Sequence, residues 1–456
     1  MHIQQIYTNC LAQASYYIES EGEAIIIDPI RDSSPYIELL KKRKATLKYI
    51  LETHFHADFV SGHIELANLT AAKIVFGPNA NPKYDAVIAK DQQEFSFGDL
   101  SFRVLHTPGH TMESSCYLLL SKEKNEEAVF TGDTLFIGEV GRPDLAVNPN
   151  LTSIELAKLL YQSIHNVLMK LPDHVIVYPG HGAGSACGKN ISLERQSTIG
   201  MQKECNYALQ PMSEDQFVNI MLDGIPLAPQ YFTHDVSMNK NGYESISSIL
   251  SKSLKKLSSK QILHEINQGT IILDVRLPDD FEKGFIPGSI NIGKTGMFAP
   301  WVGTIIPANS KIIIVCSLNE EKEVISRLAR IGYENVVGYV NGIDDWQKDY
   351  QKIDIIDSID PVEIPTYINQ GCIMLDVRKI EELKLGLVQE SINIPLHNLE
   401  ANLALKNKSD NYLIYCAGGY RSMIASSILK SKGFENVKNI YGGFSAISQK
   451  IDSLII

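Results

Sequence analysis

The chain has 456 residues, 44% apolar and 21% charged, too many for one ordinary core; at about 150 residues per domain it divides into three. Its net charge of −11 opposes phosphate backbones and anionic lipid, so the expected partners include neither nucleic acid nor membrane. Seven cysteines without a C-x-x-C pair exclude a disulfide framework and a zinc ribbon; with no leader-like start and no apolar run of about 18 residues, a cytoplasmic protein with reduced thiols is expected.

In chain order, QASYYIES (13–20) and EAIIIDP (23–29) read as paired short strands of a mixed α/β layered domain. The apolar run LKYILET then leads into THFHADFVSGH (53–63), which sets His54, His56, Asp58 and His63 at the carboxyl end of a strand. HTPGHT supplies His110, FTGDTLF supplies Asp133 and YPGHGAGSACGK supplies His181, each in a glycine-containing turn after an apolar stretch. One such histidine alone reads as an ordinary surface residue, whereas four such turns in series predict a metal site, because loops at strand ends can aim imidazole and carboxylate at one point. Arg142 closely follows Asp133 and is a candidate to pair with an anion; Tyr178 and His181 are candidates to line the same pocket. Cys205, on a predicted helix, reads as a buried cysteine, with a sulfur relay as the alternative, while Cys10, Cys116, Cys187 and Cys372 are assigned to packing.

This series resembles the metallo-β-lactamase superfamily over roughly residues 1–245, which implies an αββα sandwich. Hydrolytic members carry H-x-H-x-D-H, whose last histidine helps to hold a second metal; here that position is Phe59, with His63 the only substitute nearby. HADFVSGH, TPGHT, GDTLFIGEVGRPDL and YPGHGAGSACGK together are most similar to persulfide dioxygenases. That resemblance implies one Fe(II) per chain on His54, His110 and Asp133, with His56 and Asp58 orienting the ligands. LDGIPLAPQYFTHDVSMNKNGY (222–243), with its prolines and polar run, reads as a covering segment and linker, placing a boundary near residue 250.

An internal repeat fills the rest. ILDVRLPDDFEKGFIPGSINI (272–292) recurs about 100 residues later as MLDVRKIEELKLGLVQESINI (374–394), and Cys316 falls opposite Cys416. Each copy alternates strands and helices and so predicts a parallel sheet, giving domains 1–250, 251–355 and 356–456. NYLIYCAGGYRS puts Cys416 after a strand, two glycines in the loop and Arg421 where a helix begins; backbone N–H groups and the helix end there favour a thiolate, and Arg421 can hold an oxyanion. The pattern resembles the rhodanese family, implying Cys416 as sulfur acceptor and Arg421 as its loop partner. In the first copy Cys316 is followed by SLNEEKE, with Glu321 in the place of Arg421, so residues 262–352 read as a degenerate, structural copy.

The expected function is Fe(II)-dependent oxidation of a low-molecular-weight thiol persulfide by O₂ to sulfite, coupled to sulfur transfer involving sulfite and thiosulfate. A homo-oligomer is expected. The rivals are a glyoxalase II-type zinc thioester hydrolase and a non-oxidising sulfur carrier.

Overall fold

The structure is a computed structural model that describes residues 1–225, 227–349, 352–403 and 407–456. The chain divides into two compact units, residues 1–247 with 328–332, and residues 248–327 with 333–456. No described helix is long and apolar enough to cross a membrane.

The first unit is built on two six-stranded sheets. One runs β1 (His2–Thr8), β2 (Gln13–Ser20), β3 (Glu23–Ile27), β4 (Thr46–Glu52), β5 (Lys73–Phe76) and β6 (Val87–Ile88) in that spatial order. The expected hairpin is present as β2 against β3, with Tyr16 opposite Ile27. The other sheet holds β7 (Glu94–Phe97), β8 (Leu100–His106), β9 (Ser115–Leu120), β10 (Glu126–Gly132), β11 (Ile176–Pro179) and β12 (Ser197–Thr198).

Side-chain alternation along a strand sorts its residues between two cores. Tyr117 and Leu119 of β9 join Tyr16, Ile27 and Phe130 between the sheets, whereas Cys116, Leu118 and Leu120 face the helical side. There they meet Ala157, Leu160 and Ile164 of a helix, and Phe217 and Met221 of another. With every side chain of β9 buried, the strand reads as a continuous apolar run, SCYLLL. The helices of this unit that bear on the site are α1 (Ser34–Arg43), α2 (His63–Thr70), α3 (Ser153–Asn166), α4 (Ile199–Cys205), α5 (Glu214–Leu222) and α6 (Phe232–Asn241). Two facing sheets with helices outside are the expected αββα sandwich.

The second unit holds two all-parallel sheets, one per repeat copy. The first comprises β13 (Ile271–Asp274), β14 (Ile290–Asn291), β15 (Ile312–Cys316) and β16 (Val336–Asn341), ordered β14-β13-β15-β16. The second adds an edge strand: β17 (Asp357–Ile359), β18 (Ile373–Asp376), β19 (Ile392–Asn393), β20 (Tyr412–Tyr415) and β21 (Val437–Ile440), ordered β17-β21-β20-β18-β19. In the first copy a single parallel bridge from Lys256 to Tyr339 stands where β17 pairs with β21.

The stretch 222–243 departs from the expectation of a linker. Its second half is α6, which buries Phe232, Asp235 and Asn239 with the preceding Tyr231. Spacing of buried residues at 232, 235 and 239 is that of a helix face, which the prolines upstream obscure in the sequence.

Candidate metal centre and thiol loop

Four strand ends deliver the site: β4 leads to His54, β8 to His110, β10 to Asp133 and β11 to His181. The turn before His110 requires glycine, since Gly109 has φ +142° and a Cβ there would lie 2.4 Å from the Leu160 backbone in α3. Gly180 is held for space: a Cβ there would come within 2.7 Å of Asp133 Oδ1.

His54, His110 and Asp133 converge, all buried. Asp133 Oδ2 is 3.5 Å from His110 Nε2 and 3.9 Å from His54 Nε2. The proton positions follow from the partners. His110 Nδ1 faces the Arg142 carbonyl at 2.9 Å, and a carbonyl only accepts, so Nδ1 carries the proton and Nε2 keeps its lone pair. Thr53 Oγ1 donates to Asp28 Oδ2 at 2.8 Å and therefore accepts from His54 Nδ1 at 3.0 Å, leaving His54 Nε2 free as well. Burial and the neighbouring His56 outweigh Asp133 and hold the His54 pKa well below its ordinary value, so the ring is a neutral ligand. Burial opposes ionisation of Asp133, but His181, hydrogen-bonded to it at 2.7 Å, outweighs this and depresses its pKa.

His110 Nε2 and Asp133 Oδ2 are buried without a hydrogen-bond partner among the described residues. Orphaned acceptors cost about 1–3 kcal/mol each, and a shared cation satisfies them together. Two imidazoles and one carboxylate therefore fit a divalent metal ion.

His181 sits behind this triad and does not present a free face to a ligand. Its Nδ1 donates to Asp133 Oδ1 at 2.7 Å and its Nε2 to Asp58 Oδ2 at 2.8 Å. Burial opposes its charge, yet the two carboxylates raise its pKa well above the ordinary value. Asp58, His181 and Cys187 form a second buried group beside the first. Phe59 is fully buried and stacks on His56 at 4.3 Å.

His56 does not join the triad. It turns to Asp28 Oδ1 at 3.1 Å and Glu52 Oε2 at 3.5 Å; burial works against its charge, and these carboxylates push its pKa up to about 10. His63 heads α2 and faces Glu52 Oε1 at 3.4 Å. Arg142 is buried and clasps Asp144 with two bonds of 2.7 Å, so its guanidinium faces its own turn; its carbonyl is what serves His110. Tyr178 stacks on Phe130 at 5.0 Å and packs edge-on to Tyr16, in the core between the sheets. Cys205 ends α4 and is exposed, correcting the expectation of a buried helical cysteine.

Asn239 is a site residue that no sequence motif marks. Its amide donates to the carbonyls of His56 and Phe59 at 2.8 Å each and accepts from Ser61 N at 2.8 Å, closing the His54–His63 loop from α6. Asn–Lys–Asn at a helix end carries no motif; only the loop's need for buried backbone partners pointed to such a residue.

In the second unit, Cys416 follows β20 and is buried. Gly419 N–H donates to its sulfur at 3.1 Å, and the helix Tyr420–Ser431 starts at the next residue. Arg421 binds Glu382 through bonds of 2.6 and 2.7 Å, a partner missed in the sequence. Cys316 is also buried, but burial followed by Glu321 and Glu320 pushes its thiol up to about 12.

Comparison with known proteins agrees with this division. The metallo-beta-lactamase superfamily model matches residues 8–181, and the rhodanese-like domain model matches residues 258–349 and 360–450. A probable hydroxyacylglutathione hydrolase of Schizosaccharomyces pombe is 37% identical over 160 residues, 34% of this chain and only 57% of its own length. The hydroxyacylglutathione hydrolase of Pelagibacter ubique is 32% identical over 250 residues, 48% of this chain and 96% of its own. A metallo-beta-lactamase structure from Staphylococcus aureus is 29% identical with a TM-score of 0.66, covering 75% of this chain and 99% of that one.

Proposed function

From the premise that this chain belongs to the metallo-beta-lactamase superfamily and carries two rhodanese-like domains, we propose that it is a persulfide dioxygenase with a sulfurtransferase tail. The observation that carries this reading is the donor set. Three buried ligands meet at one point, and Phe59 stands where hydrolytic relatives keep another imidazole. The reaction is RSSH + O₂ + H₂O → RSH + SO₃²⁻ + 2H⁺, in which the persulfide sulfur atoms lose four electrons and O₂ gains four.

His54, His110 and Asp133 would hold a ferrous ion, which would supply the one-electron chemistry that lets O₂ react with a closed-shell sulfur. Everything else is the chain's work. Thr53 and the Arg142 carbonyl hold the ring protons on the far side, so both Nε2 lone pairs face inward. His181 takes one oxygen of Asp133 and leaves the other for the ion. At the second site the Cys416 thiolate takes the outer sulfur of a second persulfide, RSSH + Cys–S⁻ → RSH + Cys–S–S⁻, and passes it to sulfite, Cys–S–S⁻ + SO₃²⁻ → Cys–S⁻ + S₂O₃²⁻, an S–S bond breaking as each new one forms.

The names of the curated relatives favour a second reading, zinc-dependent hydrolysis of a glutathione thioester. Anaerobic purification with metal analysis, followed by oxygen uptake on a persulfide, separates the two. One iron per chain with O₂ consumption and sulfite release is expected; two zinc ions with thioester hydrolysis overturn the proposal. With persulfide and O₂, Cys416→Ser is expected to release sulfite in place of thiosulfate, and unchanged thiosulfate would remove Cys416 from the scheme.

A further inference from the structure

Five residues of the first unit come from far along the chain: Leu328–Gly332, which lie by sequence inside the first rhodanese-like match, 258–349. They follow from the end of the helix Glu321–Ala329, and the last carbonyls of a helix have no partner within it. Here the carbonyls at this end are put to use. That of Arg330 accepts from Val60 N–H at 2.7 Å, and that of Ala329 accepts from Arg31 Nη1 at 2.7 Å.

Arg31 is fully buried and stands three residues after Asp28, whose carboxylate fixes Thr53 beside His54. Its Nη2 donates to the Glu244 carbonyl at 2.7 Å, and its guanidinium lies 4.7 Å from the centre of the Tyr243 ring. A cation at the carboxyl end of a helix is favourably placed. The segment is also seated on α6. Gly332 has φ +75°, and a Cβ there would lie 2.4 Å from Asp235 Oδ1, while His234 Nε2 donates to the Gly332 carbonyl at 3.2 Å.

Val60 is fully buried, so its N–H needs an acceptor within the protein. It lies two residues beyond Asp58, which holds His181, which in turn holds Asp133 Oδ1. Asn239 fixes the Phe59 carbonyl and the Ser61 N–H, and the Arg330 carbonyl takes the Val60 N–H between them.

We propose that residues 328–332, gripped by Arg31, are a positioning element of the metal centre: they set the backbone of Val60, hence Asp58 and His181, and so the aim of Asp133. A stretch of the first rhodanese-like domain then has a part in the metal domain that is independent of Cys316. This rests on the reading of His54, His110 and Asp133 as metal ligands, and on neither the identity of the metal nor that of the substrate.

The test titrates cobalt(II) alone into the metal-free full chain, following the d–d absorption and the Kd against a competing chelator, so that no turnover is involved. Arg31→Met and Gly332→Ala disturb the segment, and Arg31→Lys keeps the charge. Met221→Ala, in the helical core of the same unit, controls for general destabilisation. Arg31→Met and Gly332→Ala are expected to weaken cobalt binding about tenfold and to alter the absorption, with part of the loss recovered in Arg31→Lys. Met221→Ala should lower the melting temperature and leave cobalt affinity unchanged. Should Arg31→Met fail to fold, Gly332→Ala and Arg31→Lys carry the comparison. Cobalt affinity unchanged in the segment variants, or weakened equally in Met221→Ala, overturns the proposal. A wild type that binds no cobalt overturns the metal reading and this inference with it.

Discussion

The two repeat copies share the same hydrogen-bonded brace at the end of their first core strand and differ where chemistry is expected. In the first, Arg276 grips Asp274, donates to the Gly284 carbonyl at 3.0 Å, and Asn291 bridges the carbonyls of Asp274 and Arg276. In the second, Arg378 grips Asp376, donates to Gly386 at 3.0 Å, and Asn393 bridges Asp376 and Arg378. The D-V-R and S-I-N motifs therefore encode a strand-end brace common to both copies, and their presence says nothing about activity. What separates the copies is one loop. Cys416 has a glycine N–H on its sulfur and an Arg421–Glu382 pair alongside, whereas Cys316 has Glu320 and Glu321 beside it, and Asp280 takes the place of Glu382.

The largest effect should come from the thiols themselves. Cys416→Ser is expected to lower thiosulfate:cyanide sulfurtransferase activity by about 10³-fold or more, and Cys316→Ser to leave it within about twofold, read as thiocyanate formed. Equal losses from the two would erase the distinction.

Next comes the support that the first copy lends to the second. Phe281, Phe285, Ile356 and Met423 form one buried cluster, Ser427 Oγ accepts from Asn291 N at 3.0 Å, and Tyr420 donates to the Gly293 carbonyl at 2.8 Å. Ser427, Met423 and Tyr420 all lie on the helix that follows Cys416. Phe281→Ala should thus cost about 3 kcal/mol and lower the melting temperature of the second copy, although Phe281 belongs to the first.

A smaller change is expected at the loop arginine. Glu382→Gln keeps the shape but removes the charge that orients Arg421, and sulfurtransferase kcat/KM should fall about fivefold. The smallest effect concerns the thiol of the first copy. Glu321→Arg replaces a charge that raises the Cys316 thiol by one that lowers it, so its pKa should drop from about 12 by about one unit, seen by thiolate absorbance. The sign also fixes labelling: at pH 8 a thiol with a pKa near 12 is protonated, so iodoacetamide should spare Cys316 in the wild type.

Much of this was legible in the sequence because strand-end loops carry their chemistry locally. His54, His110 and Asp133 each stand within a few residues of the apolar run that positions them, and Cys416 stands directly after its strand. Groups brought in by tertiary pairing left no such trace. Asn239 reaches the metal loop from 180 residues away and Glu382 meets Arg421 across 39 residues, spacings that no periodicity records. Arg142 and His181 were legible as functional residue types but not in their roles. Asp144, two residues on, claims the guanidinium, and two carboxylates claim the imidazole.

The clasp of Asn239 on the loop that bears His54 has an outcome for biogenesis. A nascent chain emerges from the ribosome with its ligand histidines long before α6 exists, and at about 5–20 residues per second the wait lasts on the order of ten seconds or more. During that interval the backbone of residues 56–61 lacks its cap, so the loop that bears His54 is expected to reach its final shape only once translation has passed residue 239. A fragment cut at the end of the matched segment, residue 181, would hold every ligand and still lack the piece that sets them.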